Sequence, residues 1–423
     1  MKCPMRVMID ARMLIGRFSG VARVVTQLVD KLANQGEIEV VALCGREAYA
    51  PWVGRTDVEV MTSSFDRGDR TACRRALWEA TVLPRIIRRA RVDVFHATWN
   101  SGVPALCSVP SVLTIHDLIP WKDPRAHFTT ARQRLFYQYA VRASARRASC
   151  VTTVSEHVRR QVIDTLHLRP ERVVSIPNGV SIPSDKTTTL DPSTPPYALY
   201  VGGYESRKNV AAVFAAVQHY RQRYDPVLEL HLTGNVGSLS GEAKEAYRSL
   251  SGDARIRFLG DVDDDELERQ YASAGVLLML SRDEGFGLPV LAALPEVVGD
   301  AGVLVDPDNA EEVSNAMGVL VADPYRRAEY VRRGRQRASE FGWEVAASRM
   351  HALYECVLRG AVVPRRSRNE AGRQRFPLLR GESRLKARAD VPAPARDQLP
   401  DTCQEKTQPA PMYPVKTCVT HEG

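Results

Sequence analysis

Apolar, β-branched runs that alternate with amphipathic stretches constrain this chain more than any other feature of its sequence. RVMIDAR, EVVALCG, DVFHAT, SVLTIHD, CVTTVS and RVVSIPNG, spread over residues 6–179, read as strands. Helical patterns such as Val21–Gln35 and Phe128–Ala148 separate them. Strands joined through helices pair in parallel, because only a crossover returns the chain to the same end of the sheet. A Pro-, Thr- and Ser-rich stretch, IPSDKTTTLDPSTPP at 182–196, has no periodicity and several turn formers. A second series starts directly after it: YALYVGG, LELHLTG, IRFLG, VLLMLS and VLVDP, with helical patterns at 209–223 and 264–274. The expected fold class is therefore α/β, with two Rossmann-like, doubly wound sheets. The boundaries are an N-terminal domain at 1–185, a linker at 186–196 and a C-terminal domain at 197–362, with the last helix free to return to the first domain. Ligands of such sheets bind beyond the carboxyl ends of the strands, so two of them predict a central cleft.

The most chemically specific stretch is SRDEGFGLPVL, Ser281–Leu291. It follows the apolar run VLLML and combines an acidic residue, a Gly-x-Gly turn and a proline placed to open a helix. Backbone N–H groups at such a junction can hold sugar or phosphate oxygens, and Glu284 can accept hydrogen bonds from hydroxyls. Gly285, Phe286, Gly287 and Leu288 complete the candidate ligand loop. A glycine-rich turn whose acid only favours the helix dipole would look similar.

EGFGLPVL resembles the signature of the retaining, nucleotide-sugar-dependent glycosyltransferases of group 1, which include many mannosyl- and glucosyltransferases and have the two-Rossmann GT-B fold. That family carries Glu-x7-Glu, and the eighth position after Glu284 is Ala292. The chain then passes straight from Ala293 to LPEVVGDAG. Pro295 should stop any helix opened at Pro289 after less than two turns. The comparison implies a deletion of more than a dozen residues, with a second sheet one strand short. The segment VGGYESRKNV at 201–210 is similar to the family's first turn of the second domain. There Arg207 and Lys208 would neutralise a diphosphate leaving group, although Gly203 stands where many members carry arginine.

TIHDLIP resembles the family segment whose histidine lies beside the donor sugar. This makes His116 the first candidate for supporting transfer, against the alternative of a satisfied, half-buried ring. His96 in DVFHATWN, and Gly20 and Arg23 in the loop GRFSGVAR, are candidates for the acceptor or phosphate side, with a plain tight turn as the alternative for the loop. TVSEHVRRQV and IPNGVS read as scaffold, through serine capping and an Asn-Gly turn. The acidic run DVDDDEL at 261–267 reads as a helix start, not a metal site. The resemblance implies no cofactor and no metal, only a nucleoside diphosphate sugar as co-substrate. It implies transfer of a hexose, with mannose a candidate, to a saccharide or lipid-linked acceptor. Ala292 and the deletion leave a second reading open, a catalytically impaired relative that binds a partner or sugar.

Charge narrows the partners. Of the formal net charge of +8, the stretch from Pro364 to Gly423 carries 12 Lys and Arg against 7 Asp and Glu. That stretch is rich in Pro, Arg, Gln and Ala, so residues 363–423 are expected to form a disordered basic tail. Two other basic stretches, Arg74–Arg91 and Arg132–Arg147, mix arginine with Leu, Ile, Phe and Trp. Solvated arginines on packed helices account for them, as does peripheral contact with an anionic membrane. No nucleic-acid-binding motif is present. The chain has no apolar run approaching the roughly 18 residues that cross a bilayer and no signal-like start. Its eight cysteines are scattered without a CxxC pair. The expectation is a cytoplasmic protein with reduced thiols, peripheral at most to the inner face of a membrane.

Overall fold

The structure is a computed structural model and describes residues 4–14, 20–45, 51–63, 72–180, 195–239, 241–250, 253–285, 295–360 and 418–420. The first sheet comprises β1 (Met5–Asp10), β2 (Ile38–Cys44), β3 (Val58–Thr62), β4 (Val94–Ala97), β5 (Ser111–Ile115), β6 (Cys150–Thr153) and β7 (Val173–Ser175). All pair in parallel, in the order β3-β2-β1-β4-β5-β6-β7. Every residue of β4, β5 and β6 is buried, as helices on both faces of a parallel sheet require. β3 is absent from the strands expected from sequence. It sits at the sheet edge with only its first residue buried and Glu59 exposed, so its apolar signal is weak.

The second sheet comprises β8 (Ala198–Tyr200), β9 (Leu230–Leu232), β10 (Ile256–Phe258), β11 (Val276–Leu278), β12 (Val303–Leu304) and β13 (Cys418–Thr420), again all parallel. Their order is β10-β9-β8-β11-β13-β12. The strand between β11 and β12 thus comes from the far C-terminal end of the chain. This corrects two expectations: the sheet is not one strand short, and residues 418–420 of the tail are ordered into it. The rest of the tail, and residues 286–294 around Ala292, lie outside the described residues. Pro295 opens a short helix, Pro295–Val298, where its missing N–H costs nothing; the helix expected from Pro289 lies outside the described residues. No helix among the described residues is long and apolar enough to cross a membrane.

Three helices follow β12: Ala310–Ala322, Pro324–Ser339 and Trp343–Leu358. The last packs on the first sheet. Ala347, Met350, Leu353, Tyr354 and Val357 join the core formed by β1, β2 and the helix Gly20–Gln35. The chain enters this helix beside Gly179, where any Cβ would lie 2.3 Å from the Trp343 ring. Space, not the conformation of an Asn-Gly turn, requires glycine there. The helix is also fastened by a polar contact through the sheet. His96 Nδ1 and the Tyr354 hydroxyl are 2.7 Å apart, and His96 Nε2 meets Thr114 Oγ1 at 2.7 Å. Both groups are buried, so deleting one partner leaves the other unsatisfied. Tyr354→Phe should lower unfolding stability by about 1–3 kcal/mol, measured by denaturant titration. Wild-type stability would show that the contact fastens nothing.

Candidate active site

The site is assembled by loops at the carboxyl ends of strands from both sheets. After β8, residues Ser206–Lys208 form a single 3-10 turn, and Asn209 takes the left-handed conformation before the helix Val210–Arg223 begins. Asn tolerates that conformation better than most residues. Its side chain donates to Asp308 Oδ1 at 3.0 Å and to the carbonyl of Pro307 at 3.4 Å, in the loop after β12. After β11 the chain runs through Ser281–Gly285. The amide of Arg282 donates to the carbonyl of Arg207 at 2.8 Å, which ties the two loops together. Arg282 also binds Asp308, at 2.8 Å.

This frame brings Lys208, Arg207 and Glu284 into one cluster. Lys208 Nζ donates to Glu284 Oε1 at 2.5 Å, and Arg207 Nη1 stands 3.4 Å from the same oxygen. Lys208 and Glu284 are both buried. A buried carboxylate facing two cations is held at one position, and the cations keep further N–H donors with which to meet an anion. Removing one member of such a pair strands the other in a poorly solvated setting.

The loop is seated against the first sheet. Ser155 caps the helix Glu156–Leu166 through Val158 N, and its hydroxyl also donates to the carbonyl of Gly285 at 2.8 Å. Asp283 accepts from Lys122 Nζ at 2.8 Å and lies 3.7 Å from His157 Nε2. Burial pushes the Asp283 carboxyl up, but His157 and Lys122 outweigh it and hold the group below its usual range. Gly285 makes the closest approach. A Cβ there would fall 2.4 Å from the carbonyl oxygen of His116.

His116 therefore lies directly against the acidic loop. Its Nε2 is 2.9 Å from the carbonyl of Thr98. A carbonyl only accepts, so the proton is on Nε2 and Nδ1 carries the lone pair. Burial lowers the basicity of the ring, and Thr98 and Asp117 only partly oppose this. Asn100 fixes the backbone by accepting from His116 N at 2.9 Å and donating to the carbonyl of Asp117 at 2.9 Å. A neutral imidazole in this tautomer can accept a hydrogen bond from a hydroxyl. It is not arranged as a resident cation.

The remaining candidates lie apart from this cluster. His96 is a core residue: burial, with the neighbouring His116, lowers its pKa to about 3, and both nitrogens are occupied as described above. It lines, together with His116, a cavity of about 30 Å³. Gly20 begins the helix Gly20–Gln35, and Arg23 ion-pairs with Asp264 at the start of the helix Asp264–Ser273. That helix is capped by Asp263, so the acidic run is a helix start. Phe286, Gly287 and Leu288 lie outside the described residues. Asp283, Lys122, Ser155, His157, Asn209 and Asp308 escape a sequence reading because their partners are distant along the chain.

Two family models match this chain. "Glycosyltransferase Family 4" matches residues 18–182, and "Glycosyl transferases group 1" matches residues 181–337. The chain belongs to the group 1 glycosyltransferases. Its two sheets form the GT-B fold of that family. Sucrose-phosphate synthase from Thermosynechococcus elongatus aligns over 84% of this chain and 99% of its own, with a TM-score of 0.60 at 18% identity. Anabaena Alr3699/HepE, solved in complex with UDP and glucose, aligns over 83% and 99%, with a TM-score of 0.62 at 16% identity. Among relatives in sequence, O-antigen chain mannosyltransferase B of Escherichia coli is 27% identical over 376 residues, covering 80% of this chain and 96% of that protein. The phosphatidyl-myo-inositol mannosyltransferase of Mycolicibacterium smegmatis is 30% identical over 225 residues, covering 48% of this chain and 56% of that one.

In this glycosyltransferase the meeting of Gly285 with His116 is the contact most open to test. Gly285→Ala must push the loop off the first sheet, an overpacking cost of about 1–3 kcal/mol. Displacing the neighbouring Glu284 by about 1 Å should lower turnover on the order of 100-fold. Turnover and melting temperature both at wild-type level would show that the two loops do not meet as described.

Proposed function

We propose that this glycosyltransferase moves a hexose, mannose in the first instance, from a nucleoside diphosphate sugar to a saccharide or lipid-linked acceptor with retention of configuration. The observation that carries this reading is the buried Lys208–Glu284 pair, with Arg207 beside it and His116 across the loop. Mannose is suggested by the names of the Escherichia coli and Mycolicibacterium smegmatis relatives. A nucleoside diphosphate donor is supported by the UDP in the structure of the Anabaena protein.

The residues divide the work as follows. Lys208 and Arg207 neutralise the diphosphate as the bond from the sugar C1 to the phosphate oxygen breaks and that oxygen takes the electron pair. Glu284 accepts from sugar hydroxyls, and the cations beside it hold it aimed. His116 Nδ1 accepts from a further sugar hydroxyl and so fixes the ring for attack. The acceptor oxygen bonds to C1 on the face the diphosphate leaves, and its proton passes to a phosphate oxygen. Two cations at the diphosphate replace a metal, so activity should survive chelation. The helices Ala72–Thr81 and Ala131–Arg147 expose Leu77, Leu135 and Tyr139 among arginines, which suits a peripheral contact with an anionic membrane that presents the acceptor.

The test is transfer from a panel of GDP- and UDP-hexoses to lipid-linked saccharide in neutral or anionic vesicles, with the product anomer read by NMR. The expected result is a product of the donor's own anomeric configuration, unaffected by EDTA and formed faster on anionic vesicles. No transfer from any donor would overturn the reading. An inverted product would overturn retention, a chelator-sensitive rate would overturn metal independence, and equal rates on both vesicles would remove the membrane contact.

A further inference from the structure

The second sheet contains a strand that the order of the chain does not supply. β11 and β12 are consecutive in the chain from Val276 to Leu304, yet they are not neighbours in the sheet. β13 lies between them, with Leu277 opposite Cys418 and Leu278 opposite Val419 on one side. On the other side Val303 is opposite Val419 and Leu304 is opposite Thr420. One strand spacing on each side, roughly 4.8 Å, means that removing β13 would leave β11 and β12 about 10 Å apart. That gap is too wide for backbone hydrogen bonds. Among the described residues, the stretch from Met279 to Gly302 supplies no strand to fill it, and parallel neighbours need a crossover of roughly a dozen residues for each connection. It already contains the loop Ser281–Gly285 and the helix Pro295–Val298.

Without β13, β11 becomes an edge. Val276, Leu277 and Leu278 are all buried, so the N–H and C=O groups on that side would lose their partners where water reaches them poorly. The consequence would travel, because the loops that follow these two strands build the site. β11 runs through Met279 and Leu280 into Ser281–Gly285, which carries Glu284. β12 runs into Asp306–Asp308, which holds Asn209 and Arg282. A strand wedged between them sets their spacing.

We propose that the C-terminal residues Cys418–Thr420 act as a complementing strand, supplied by the chain's own tail, on which the geometry of the donor loop depends. Affinity for the donor is then controlled from the far end of the chain, and whatever draws the tail out of the sheet weakens donor binding. The coupling to donor affinity rests on the site reading proposed above, whereas the strand's place in the sheet does not.

The test uses amide hydrogen exchange and nucleotide binding on the full chain, a control and two strand variants. Val419→Pro removes an N–H from a strand paired on both sides, and Thr407→Pro, outside the strand, is its control. Amides of Val276–Leu278 and Val303–Leu304 should exchange at least about tenfold faster in Val419→Pro, while those of β1 stay protected. Affinity for GDP or UDP should fall about tenfold, as for a loop no longer held in place. A chain ending at Pro411 should behave alike, and the synthetic peptide of residues 412–423 should restore both readouts. Unchanged exchange in Val419→Pro and in the chain ending at Pro411 would overturn the proposal. Faster exchange with unchanged nucleotide affinity would overturn the coupling. Protection of β11 and β12 that depends on protein concentration would mean that a second copy supplies the strand, and would overturn the assignment to the chain's own tail. If the unaltered chain binds neither nucleotide, the site reading fails, and the exchange data still decide the strand.

Discussion

Gly285 lies against the carbonyl of His116 with no room for a side chain, and the rest of the site depends on that contact. Each sheet alone offers an incomplete set of groups. The second brings two cations and a carboxylate, and the first brings a neutral imidazole whose tautomer Thr98 fixes. They become one site because the loop carrying Glu284 is seated on the first sheet by Ser155, Lys122 and His157. Lys122–Asp283 is part-exposed and contributes little by itself. The close packing at Gly285 and the hydroxyl of Ser155 set the position, and the ion pair adds orientation.

The closing helix Trp343–Leu358 supports this arrangement from behind. Its buried face completes the core on one side of the first sheet, and Tyr354 reaches His96 in β4. β4 and β5 end in Thr98, Asn100 and His116, so a helix that contacts β4 from behind also steadies the residues at the mouth of the site. His96 itself stays a core residue, bonded to Tyr354 and Thr114. The same strand carries structure on its buried side and leads into the site at its end.

Much of this was legible in the sequence where residue type and spacing carry the signal locally. Lys208 and Glu284 lie 76 residues apart, yet each follows an apolar strand and opens a turn, and strand ends in parallel sheets converge. The twofold series of β-branched runs predicted both sheets for the same reason. Contacts made between loops were not legible. Ser155 reads as a helix cap, which it is, and nothing local says that its hydroxyl also holds Gly285. His96 has the strand-end setting of His116, and only the tertiary partner Tyr354 separates a core histidine from one at the site. β13 was not read as a strand, because it lies in a stretch whose Pro-, Arg- and Gln-rich composition reads as disordered.

The measurement that bears most directly on the account is a crystal structure with a bound nucleoside diphosphate. Phosphate oxygens are expected within hydrogen-bond distance of Lys208 Nζ and Arg207, in front of Glu284 and within a sugar's width of His116. A diphosphate bound elsewhere, with Lys208 still closed on Glu284 and no ligand near it, would contradict it.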